Sequence, residues 1–333
     1  MKNIGIIGTG YWGKNHLRIW HELFKEKKIA NLVLCEIEEN RAKDYSQILG
    51  INHSTDYKKL IKEFDIDAVD IVTPSNTHFE IGKFFLEKGI DVLVEKPMTL
   101  VYFEAKELIK SAEQFSTILM TGHIFRHHKG IQTLKGMIDQ KDFGKIYSFF
   151  SIRSAMMAPR KDMGVLFALG IHEVDLFSFL LNIEYPREII CKKSATQYKD
   201  IEDDAYLFFT FNNETKGMAY ESWINPVFGK RRELVINGEL QSALIDYLNP
   251  SEIVIFDSRL NLIGDDKHKQ LILENEGTRK ISIDYIEPLK AELLDFINSI
   301  SERKMPISDM YSGARAVNMI ETLLLSGTWK WDA

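Results

Sequence analysis

Short apolar runs and longer amphipathic stretches alternate along the first 124 residues. The apolar runs predict strands at residues 4–7, 32–36, 68–73, 91–95 and 118–122. The stretches at 13–24, 39–49, 78–88 and 103–115 space their apolar residues by three and four, which predicts helices with one face on a sheet. Repeated strand–helix units of this kind predict an α/β domain over residues 1–124, built on a doubly wound parallel (Rossmann) sheet.

The pattern changes after residue 124, where apolar and polar residues alternate with a period of two in place of the strand–helix units. Runs at 145–153, 205–211, 217–223 and 233–237 predict strands of a largely antiparallel sheet. Helical spacing occurs at 130–140, 169–181, 288–301 and 313–329. Residues 125–333 are therefore predicted to form a second, α+β domain.

The composition narrows the class of protein. A chain of 333 residues is long enough for two domains, and its net charge of -6 provides no long-range attraction to nucleic acid or to an anionic membrane. Cys35 and Cys191, far apart in apolar runs, predict buried thiols and a reducing compartment. Because no signal-peptide pattern precedes the first strand and no apolar run can span a bilayer, we expect a cytoplasmic protein.

A glycine-rich turn lies between the first predicted strand and the first predicted helix. Residues 8–13 fit the pattern G-x-G-x-x-G, in which Gly8, Gly10 and Gly13 enclose Tyr11 and Trp12. The first glycine permits the tight turn, the second lets a pyrophosphate approach the backbone, and the third lets helix and strand pack closely. Because free N–H groups at the helix start favour an anion, this context predicts a dinucleotide site.

Glu36 ends the second predicted strand, 23 residues beyond Gly13. A carboxylate at this place accepts hydrogen bonds from the adenosine ribose and repels a 2′-phosphate, which favours NAD over NADP. Arg41 is close enough in sequence to stack on adenine or to bind a phosphate. The alternative is that Glu36 is a solvated strand end.

Further polar residues follow the third predicted strand. Thr73, Pro74 and Ser75 end it, and His78 opens the next helix, so all four are expected at the carboxyl edge where ligands of such sheets bind. We therefore count them as candidate cofactor contacts. Capping of that helix by Ser75 or by one of the two residues after it explains the same pattern equally well.

Glu95, Lys96 and Pro97 follow the fourth predicted strand, also at the carboxyl edge, where Glu95 and Lys96 are candidate cofactor contacts. An ammonium group there can hydrogen-bond a substrate oxygen and stabilise a developing alkoxide. Glu95 is expected to hold Lys96 in place as a paired charge. The alternative is that Lys96 is only a surface charge, as most lysines at strand ends are.

His172 lies in a helical stretch of the second predicted domain, where an imidazole can exchange a proton with a hydroxyl. The alternative is a buried core histidine. His172 also begins an H-E-x-x-H zinc pattern, but Leu176 stands in place of the second histidine. His123, His127 and His128 have no accompanying cysteine, and the last two cannot share a helix face, so we predict no structural metal.

Together these motifs resemble those of the Gfo/Idh/MocA family of oxidoreductases, and the likeness covers essentially the whole chain. The resemblance rests on the glycine turn with Trp12, the Glu95-Lys96-Pro97 tripeptide, and residues 169–175 around His172. The resemblance implies a second domain with an open, mostly antiparallel sheet that carries helices on one face and forms homodimers or homotetramers through the other. It also implies that Lys96 and His172 act on the hydroxyl being oxidised.

Ala168 departs from the family pattern, since members often carry an aspartate four residues before this histidine. His172 can act with Lys96 alone, or Glu173, Asp175 or a water molecule can replace the missing carboxylate. In the remaining alternative the chain has lost catalysis and serves as a non-catalytic NAD-dependent binding or sensor protein.

Segments 158–165, 221–226 and 243–248 resemble family members that oxidise C3 of UDP-N-acetylhexosamines, which implies that Trp223 contacts substrate. Four cations can hold a diphosphate, with surface solvation as the alternative for each: Arg126, Arg153, Arg160 and Lys161. The sequence thus predicts NAD-linked oxidation or reduction of a secondary hydroxyl on a sugar or nucleotide-sugar. Reduction of an imine or of a conjugated double bond stays open, because one fold hosts several chemistries.

Overall fold

The computed structural model describes residues 1–227, 229–264 and 270–331, which form two compact units. The first unit contains Met1–His127 and Glu287–Asn318, and the second contains His128–Ile286 and the chain from Met319 onward. All of residues 125–333 were predicted to lie in the second domain. The structure differs, because Glu287–Asn318 returns to the first unit.

The first unit is built on a parallel sheet. Its strands are β1 (Asn3–Ile7), β2 (Asn31–Cys35), β3 (Asn52–Ser54), β4 (Ala68–Ile71), β5 (Asp91–Glu95) and β6 (Leu119–Gly122). They lie in the order β3-β2-β1-β4-β5-β6, and every neighbouring pair is parallel. This is the strand order of a Rossmann fold, so the predicted fold class is confirmed.

Helices cover both faces of this sheet. They are α1 (Gly13–Lys25), α2 (Glu39–Leu49), α3 (Leu60–Phe64), α4 (His78–Leu86) and α5 (Tyr102–Gln114). On one face Leu17 of α1 packs in a cluster with Ile6, and on the other Phe85 of α4 and Leu108 of α5 pack with Ile71. Because the strands are buried on both faces, they are almost continuously apolar, which is why the sequence pattern predicted them.

The second unit contains a nine-stranded sheet. Its strands are β7 (Ile146–Ser154), β8 (Glu188–Ser194), β9 (Asp204–Thr210), β10 (Lys216–Ser222), β11 (Arg231–Gly238), β12 (Ser242–Asp246), β13 (Glu252–Ile263), β14 (Gln270–Ser282) and β15 (Thr328–Lys330). Their order is β14-β13-β12-β11-β7-β10-β9-β8-β15. Neighbours are antiparallel except β7 and β10, which confirms the predicted mostly antiparallel sheet.

The remaining helices are α6 (Lys129–Asp139), α7 (Ile171–Leu181), α8 (Pro288–Glu302) and α9 (Met310–Ser326). Helix α7 lies on one face of the second sheet, where the Phe177 ring stacks on Phe149 and meets the edge of Phe209, each with centroids 5.0 Å apart. Tyr206 and Phe208 alternate with the buried positions of β9 and are partly exposed. The predicted helix at 169–181 is preceded by a π-helical turn at Leu166–Gly170.

Helix α8 explains why the chain returns to the first unit. Leu289, Leu293 and Phe296 are buried in the same cluster as Leu17 and Trp20 of α1. Together α1 and α8 cover one face of the parallel sheet. The contact joins segments more than 250 residues apart, and local periodicity carries no information about such a contact.

Both cysteines are buried thiols, as expected from the sequence. Burial raises the pKa of Cys35 to about 12 and that of Cys191 to about 11, which leaves both unreactive at neutral pH.

None of the helices in the described parts of the chain combines the length and the apolar character needed to cross a bilayer.

Replacing Phe296 by Ala tests the assignment of α8 to the first unit. Loss of a fully buried ring is expected to lower the free energy of unfolding by about 3–5 kcal/mol, measured by urea denaturation. Ser301→Ala, an exposed position on the same helix, is the control and should change it by less than about 0.5 kcal/mol. Equal effects of the two substitutions would contradict the packing described for α8.

Candidate active site

The predicted glycine turn connects β1 to α1, and each of its glycines meets different surroundings. Gly8 has φ +95°, and a Cβ there would lie 2.9 Å from the carbonyl oxygen of Val72. A Cβ on Gly13 would lie 2.3 Å from the carbonyl oxygen of Gly8, whereas one on Gly10 would meet nothing within 4 Å. Gly8 and Gly13 are thus required by backbone packing. Gly10 leaves the open space that a pyrophosphate needs, so the turn fits a dinucleotide.

The side chains of the turn also differ. Tyr11 is 87% exposed, and the Lys14 ammonium lies 5.4 Å from its ring centroid. Trp12 donates its indole N–H to Oε1 of Glu95 at 3.0 Å. The glycine turn is therefore bonded directly to the end of β5, where Lys96 follows.

Glu36 is neither solvated nor isolated, which excludes the alternative of a solvated strand end. It is 3% exposed, and its Oε2 accepts hydrogen bonds from N and Oγ1 of Thr9 at 2.9 and 2.6 Å. Its Oε1 accepts from Arg41 at 2.8 Å and from the Glu38 backbone at 3.1 Å. Burial opposes ionisation, but these donors lower the pKa of Glu36 to about 2. The ribose contact of Glu36 and the adenine contact of Arg41 stay predictions.

His78 lies at the predicted carboxyl edge, but both of its ring nitrogens are within hydrogen-bonding distance of backbone carbonyl oxygens. Nδ1 is 2.9 Å from the carbonyl oxygen of Pro97, and Nε2 is 2.9 Å from that of Thr73. Burial lowers the pKa of His78. The imidazole therefore joins the end of β4 to the turn after Lys96, and this arrangement supports a structural role rather than the predicted cofactor contact.

The remaining residues of that edge do not cap the helix as the alternative proposed. Thr77 occupies the N-cap position of α4 and makes no side-chain capping bond. Its hydroxyl donates to the carbonyl of Pro74 at 2.7 Å and lies 2.7 Å from Oγ1 of Thr73, whose hydroxyl can donate to it. Ser75 is buried, whereas Pro74 is exposed. Cofactor contacts of Thr73, Pro74 and Ser75 stay predictions.

Glu95 connects several parts of the edge. Its Oε1 accepts from Trp12 and lies 3.1 Å from Nε2 of His16, while Oε2 accepts from the Lys96 backbone N–H at 3.0 Å. Burial would raise its pKa, but His16 and Lys96 lower it, so Glu95 is ionised. A Cβ on Gly122 would lie 2.9 Å from Oε1, so the neighbouring strand needs a glycine there.

His16 is the residue that sequence analysis missed. Its Nδ1 lies 2.7 Å from Oδ2 of Asp70 and its Nε2 lies 3.1 Å from Oε1 of Glu95, in a fully buried place. An ionised carboxylate only accepts hydrogen bonds, so both ring nitrogens must carry protons. Burial would lower the pKa of His16, but Asp70 and Glu95 raise it well above its usual value. His16 is therefore an imidazolium.

Two further residues surround this buried pairing. Trp20 donates its indole N–H to Oδ2 of Asp70 at 2.7 Å. Glu292 of α8 is also fully buried, and burial together with Glu95 raises its pKa well above the usual value, which keeps it neutral. The first unit thus buries an imidazolium with two carboxylates, Asp70 and Glu95, and Glu95 also bonds the backbone of the half-buried Lys96.

In the second unit, His172 is the second residue of α7 and is almost fully buried. The segment leading to it is held by Glu202, whose Oε1 accepts from Leu166 N at 3.1 Å and whose carbonyl accepts from Val165 N at 2.9 Å. Burial raises the pKa of Glu202. A Cβ on Gly164 would lie 2.1 Å from this carboxyl group, so the approach depends on a glycine.

Glu173 does not fit the role of substitute for the aspartate that Ala168 replaces. It is fully buried, and its Oε1 accepts from Ser151 Oγ at 3.1 Å and from Arg153 Nε at 2.5 Å. Arg153 is 1% exposed, with its guanidinium 4.7 Å from the ring centroid of Tyr247. The charge of Arg153 is thus matched by Glu173 inside the unit, and its predicted diphosphate contact stays a prediction.

The other predicted substrate contacts also lie in diverse surroundings. Trp223 is 2% exposed, which does not support its predicted substrate contact. Arg126 is buried and donates to the carbonyl of Ile307 at 2.8 Å. Arg160 is exposed and bound to Asp162 at 2.9 and 2.5 Å, and Lys161 is exposed beside it. Only Arg160 and Lys161 among these candidates are exposed, and their roles stay predictions.

Among residues 1–227, 229–264 and 270–331, no group of three or more histidine, cysteine, aspartate or glutamate side chains is arranged to hold a metal ion.

Comparison with known families agrees with the motifs. A family model described as an oxidoreductase family with an NAD-binding Rossmann fold (GFO_IDH_MocA) matches residues 2–123. A second, described as the GFO/IDH/MocA C-terminal domain, matches residues 131–243. The resemblance inferred from the motifs is thereby confirmed.

Individual relatives extend the comparison over the whole chain. A UDP-N-acetylglucosamine 3-dehydrogenase from Acidithiobacillus ferrooxidans is 29% identical over 317 residues, which are 94% of this chain and 93% of the relative. Its solved structure matches with a TM-score of 0.79 at 25% identity, covering 98% and 97% of the two chains. A scyllo-inositol 2-dehydrogenase (NAD(+)) from Bacillus subtilis is 27% identical, covering 76% of each chain.

A more distant solved structure supports the fold alone. Levoglucosan dehydrogenase in complex with NADH and levoglucosan has a TM-score of 0.83 at 18% identity, and the match covers 100% of both chains.

Substituting His16 tests the buried imidazolium. In His16→Gln, Asp70 and Glu95 lose their cation, which is expected to lower the free energy of unfolding by about 3–5 kcal/mol. The pKa of His16 is raised in the folded state, so its contribution is fully present below the unfolded pKa of about 6.5 and is lost as pH rises through the folded pKa. Urea denaturation across this range should show the difference from wild type shrinking as pH rises.

His21→Gln, on the same helix, is the matched control, because His21 bonds only the carbonyl of Leu49 among described residues. A wild-type-minus-His16→Gln difference that is flat with pH would contradict the imidazolium assignment.

Alanine substitutions at two glycines separate cofactor binding from stability. Gly10→Ala adds a methyl group to open space and should keep the melting temperature but weaken NAD binding, measured by isothermal titration calorimetry. Gly13→Ala places a Cβ 2.3 Å from a backbone oxygen and should lower the melting temperature. Unchanged NAD affinity in Gly10→Ala would contradict the placement of the pyrophosphate.

Proposed function

Because the chain belongs to the GFO/IDH/MocA family of oxidoreductases, we propose that it oxidises a secondary hydroxyl of a nucleotide-sugar with NAD, reversibly. The best candidate is C3 of UDP-N-acetylglucosamine. The single observation that carries the proposal is that Glu95 bonds both the glycine turn, through Trp12, and the backbone of Lys96. The relative that acts on UDP-N-acetylglucosamine, at 29% identity over 94% of the chain, supports the substrate class.

Lys96 is assigned the role of electrophile. Its ammonium donates a hydrogen bond to the substrate oxygen and stabilises the alkoxide charge that develops during oxidation. Glu95 fixes the Lys96 backbone, and His16 and Trp12 fix Glu95. His172 is assigned the hydroxyl proton, as the family resemblance implies. NAD, when bound, supplies the hydride acceptor.

The preference for NAD over NADP rests on Glu36. Its carboxylate is ionised, with a pKa of about 2, and it lies against Thr9 of the glycine turn. A 2′-phosphate brought to this place would face a fixed negative charge. Arg41 does not offset the repulsion, because its charge is shared between Glu36 and Glu38 at 2.8 and 3.0 Å.

A non-catalytic, NAD-dependent binding protein is the second candidate function. It is favoured by Ala168, which leaves the segment before His172 without the carboxylate common in the family. Glu173 accepts hydrogen bonds from Arg153 and Ser151, so it is not available to replace the missing aspartate. This further favours the non-catalytic function. Cytoplasmic location and homo-oligomeric assembly stay predictions under either function.

The enzyme proposal is tested by following NADH absorbance with NAD and a panel of UDP-sugars, inositols and free sugars. We expect turnover with a UDP-N-acetylhexosamine, and Lys96→Ala should lower kcat/KM by about 10²–10³-fold while still binding NAD saturably. Lys110→Ala, an exposed position on α5, is the control and should match wild type.

Saturable binding of NAD without turnover of any compound would contradict the enzyme proposal and favour the binding protein. Turnover that survives Lys96→Ala would contradict the role of Lys96.

A further inference from the structure

A cavity of about 430 Å³ lies within the second unit, at the start of β11 and the end of β12. Its volume falls in the range of about 300–1,000 Å³ that is usual for small-molecule sites. It is lined by Lys230, Arg231, Arg232, Glu233, Asp246 and Leu248. Three cationic and two acidic residues therefore border one space that the predicted site did not include.

The charges around this cavity are not equally compensated. Arg231 forms a two-point ion pair with Glu233, at 2.7 and 2.8 Å. Asp246 accepts from the Leu248 backbone N–H at 2.8 Å, which shapes the turn after β12. The guanidinium of Arg232 is only half-buried and makes no hydrogen bond or ion pair with any described residue.

The strand register places Arg232 beside a like charge. It lies directly opposite Arg153 of β7, and paired residues of neighbouring strands project from the same face. The charge of Arg153 is matched by Glu173. Glu221, opposite Arg153 on its other side, is kept neutral because burial and Glu173 raise its pKa well above the usual value. Glu221 and Glu173 both attract Arg232, but neither forms a hydrogen bond or an ion pair with its guanidinium.

The positive charge of Arg153 changes the pKa values of neighbouring groups. Burial and Arg153 lower the pKa of Arg232, and the same two causes lower the pKa of His128 to about 4. An anion bound at the cavity would reduce the repulsion between the two guanidinium groups. A guanidinium also presents N–H groups in a planar fork that suits phosphate oxygens.

The cavity lies beside the end of β7, from which the segment toward His172 departs. Arg231 pairs with Ser154, the last residue of β7. The chain then runs through residues 155–165, which carry the exposed Arg160 and Lys161, into the helical segment that ends in α7.

We propose that Lys230 and Arg232 form a binding site for the diphosphate group of a nucleoside diphosphate. Arg153, one of the four cations predicted to hold such a group, lies opposite Arg232. The identity of the ligand as a nucleotide rests on the proposed function, whereas the preference of the cavity for a diphosphate does not.

The test titrates the full-length protein with UDP, inorganic pyrophosphate, inorganic phosphate and uridine by isothermal titration calorimetry. We expect UDP and pyrophosphate to bind and uridine to bind at least about tenfold more weakly, since an ionic hydrogen bond contributes about 1.5–3 kcal/mol. Lys230→Gln and Arg232→Gln should each weaken UDP about tenfold or more. Lys216→Gln, an exposed lysine at the opposite end of β10 from Ser222, should leave UDP affinity unchanged.

Melting temperatures show whether each variant is still folded, so that a loss of UDP binding is not mistaken for unfolding. Arg232→Gln removes a cation that lies opposite Arg153, so it should keep or raise the melting temperature, and Lys230 is exposed. Equal affinities for UDP and uridine, or UDP affinity unaffected by both substitutions, would overturn the diphosphate site. UDP binding without turnover of any sugar would support the diphosphate site and contradict the enzyme proposal. Turnover of a UDP-sugar with unchanged KM in both variants would support the enzyme proposal and contradict the diphosphate site.

Discussion

The first unit depends on one buried ionic contact, the imidazolium of His16 between the carboxylates of Asp70 and Glu95. Charges removed from water are costly unless each is paired at short range. Here the distances are 2.7 and 3.1 Å, and the three side chains come from α1, β4 and β5. The contact therefore fixes the helix after the glycine turn relative to the two strands whose ends face a ligand.

The chemistry at the edge follows from that contact. Glu95, held ionised by His16, accepts the indole N–H of Trp12 and the backbone N–H of Lys96. The turn that fits a pyrophosphate and the lysine assigned to the substrate oxygen are thus two ends of one hydrogen-bonded chain. Helix α8 completes the surroundings with the neutral Glu292, which adds no further negative charge. The second unit uses the same principle where Arg153 is buried against Glu173.

Local sequence was sufficient for the features that depend on neighbours in the chain. The glycine turn, the apolar strands of the Rossmann sheet and the position of Lys96 after β5 were predicted because each is specified within a few residues. The roles of His16 and Asp70 were not, since they meet only when α1 lies across the sheet. Asp70 did leave a signal, as a charged residue inside an apolar strand. The return of α8, and the burial of Arg153 and Trp223, likewise depend on contacts between distant segments.

The protonation state of His16 tests the account most directly. Nitrogen-15 NMR of the full-length protein with labelled histidine, read at neutral pH and titrated upward, reports both ring nitrogens. We expect that Nδ1 and Nε2 of His16 both carry protons at pH 7 and that the ring loses its charge only well above the usual histidine pKa of about 6.5. A neutral ring with one unprotonated nitrogen at pH 7 would contradict it.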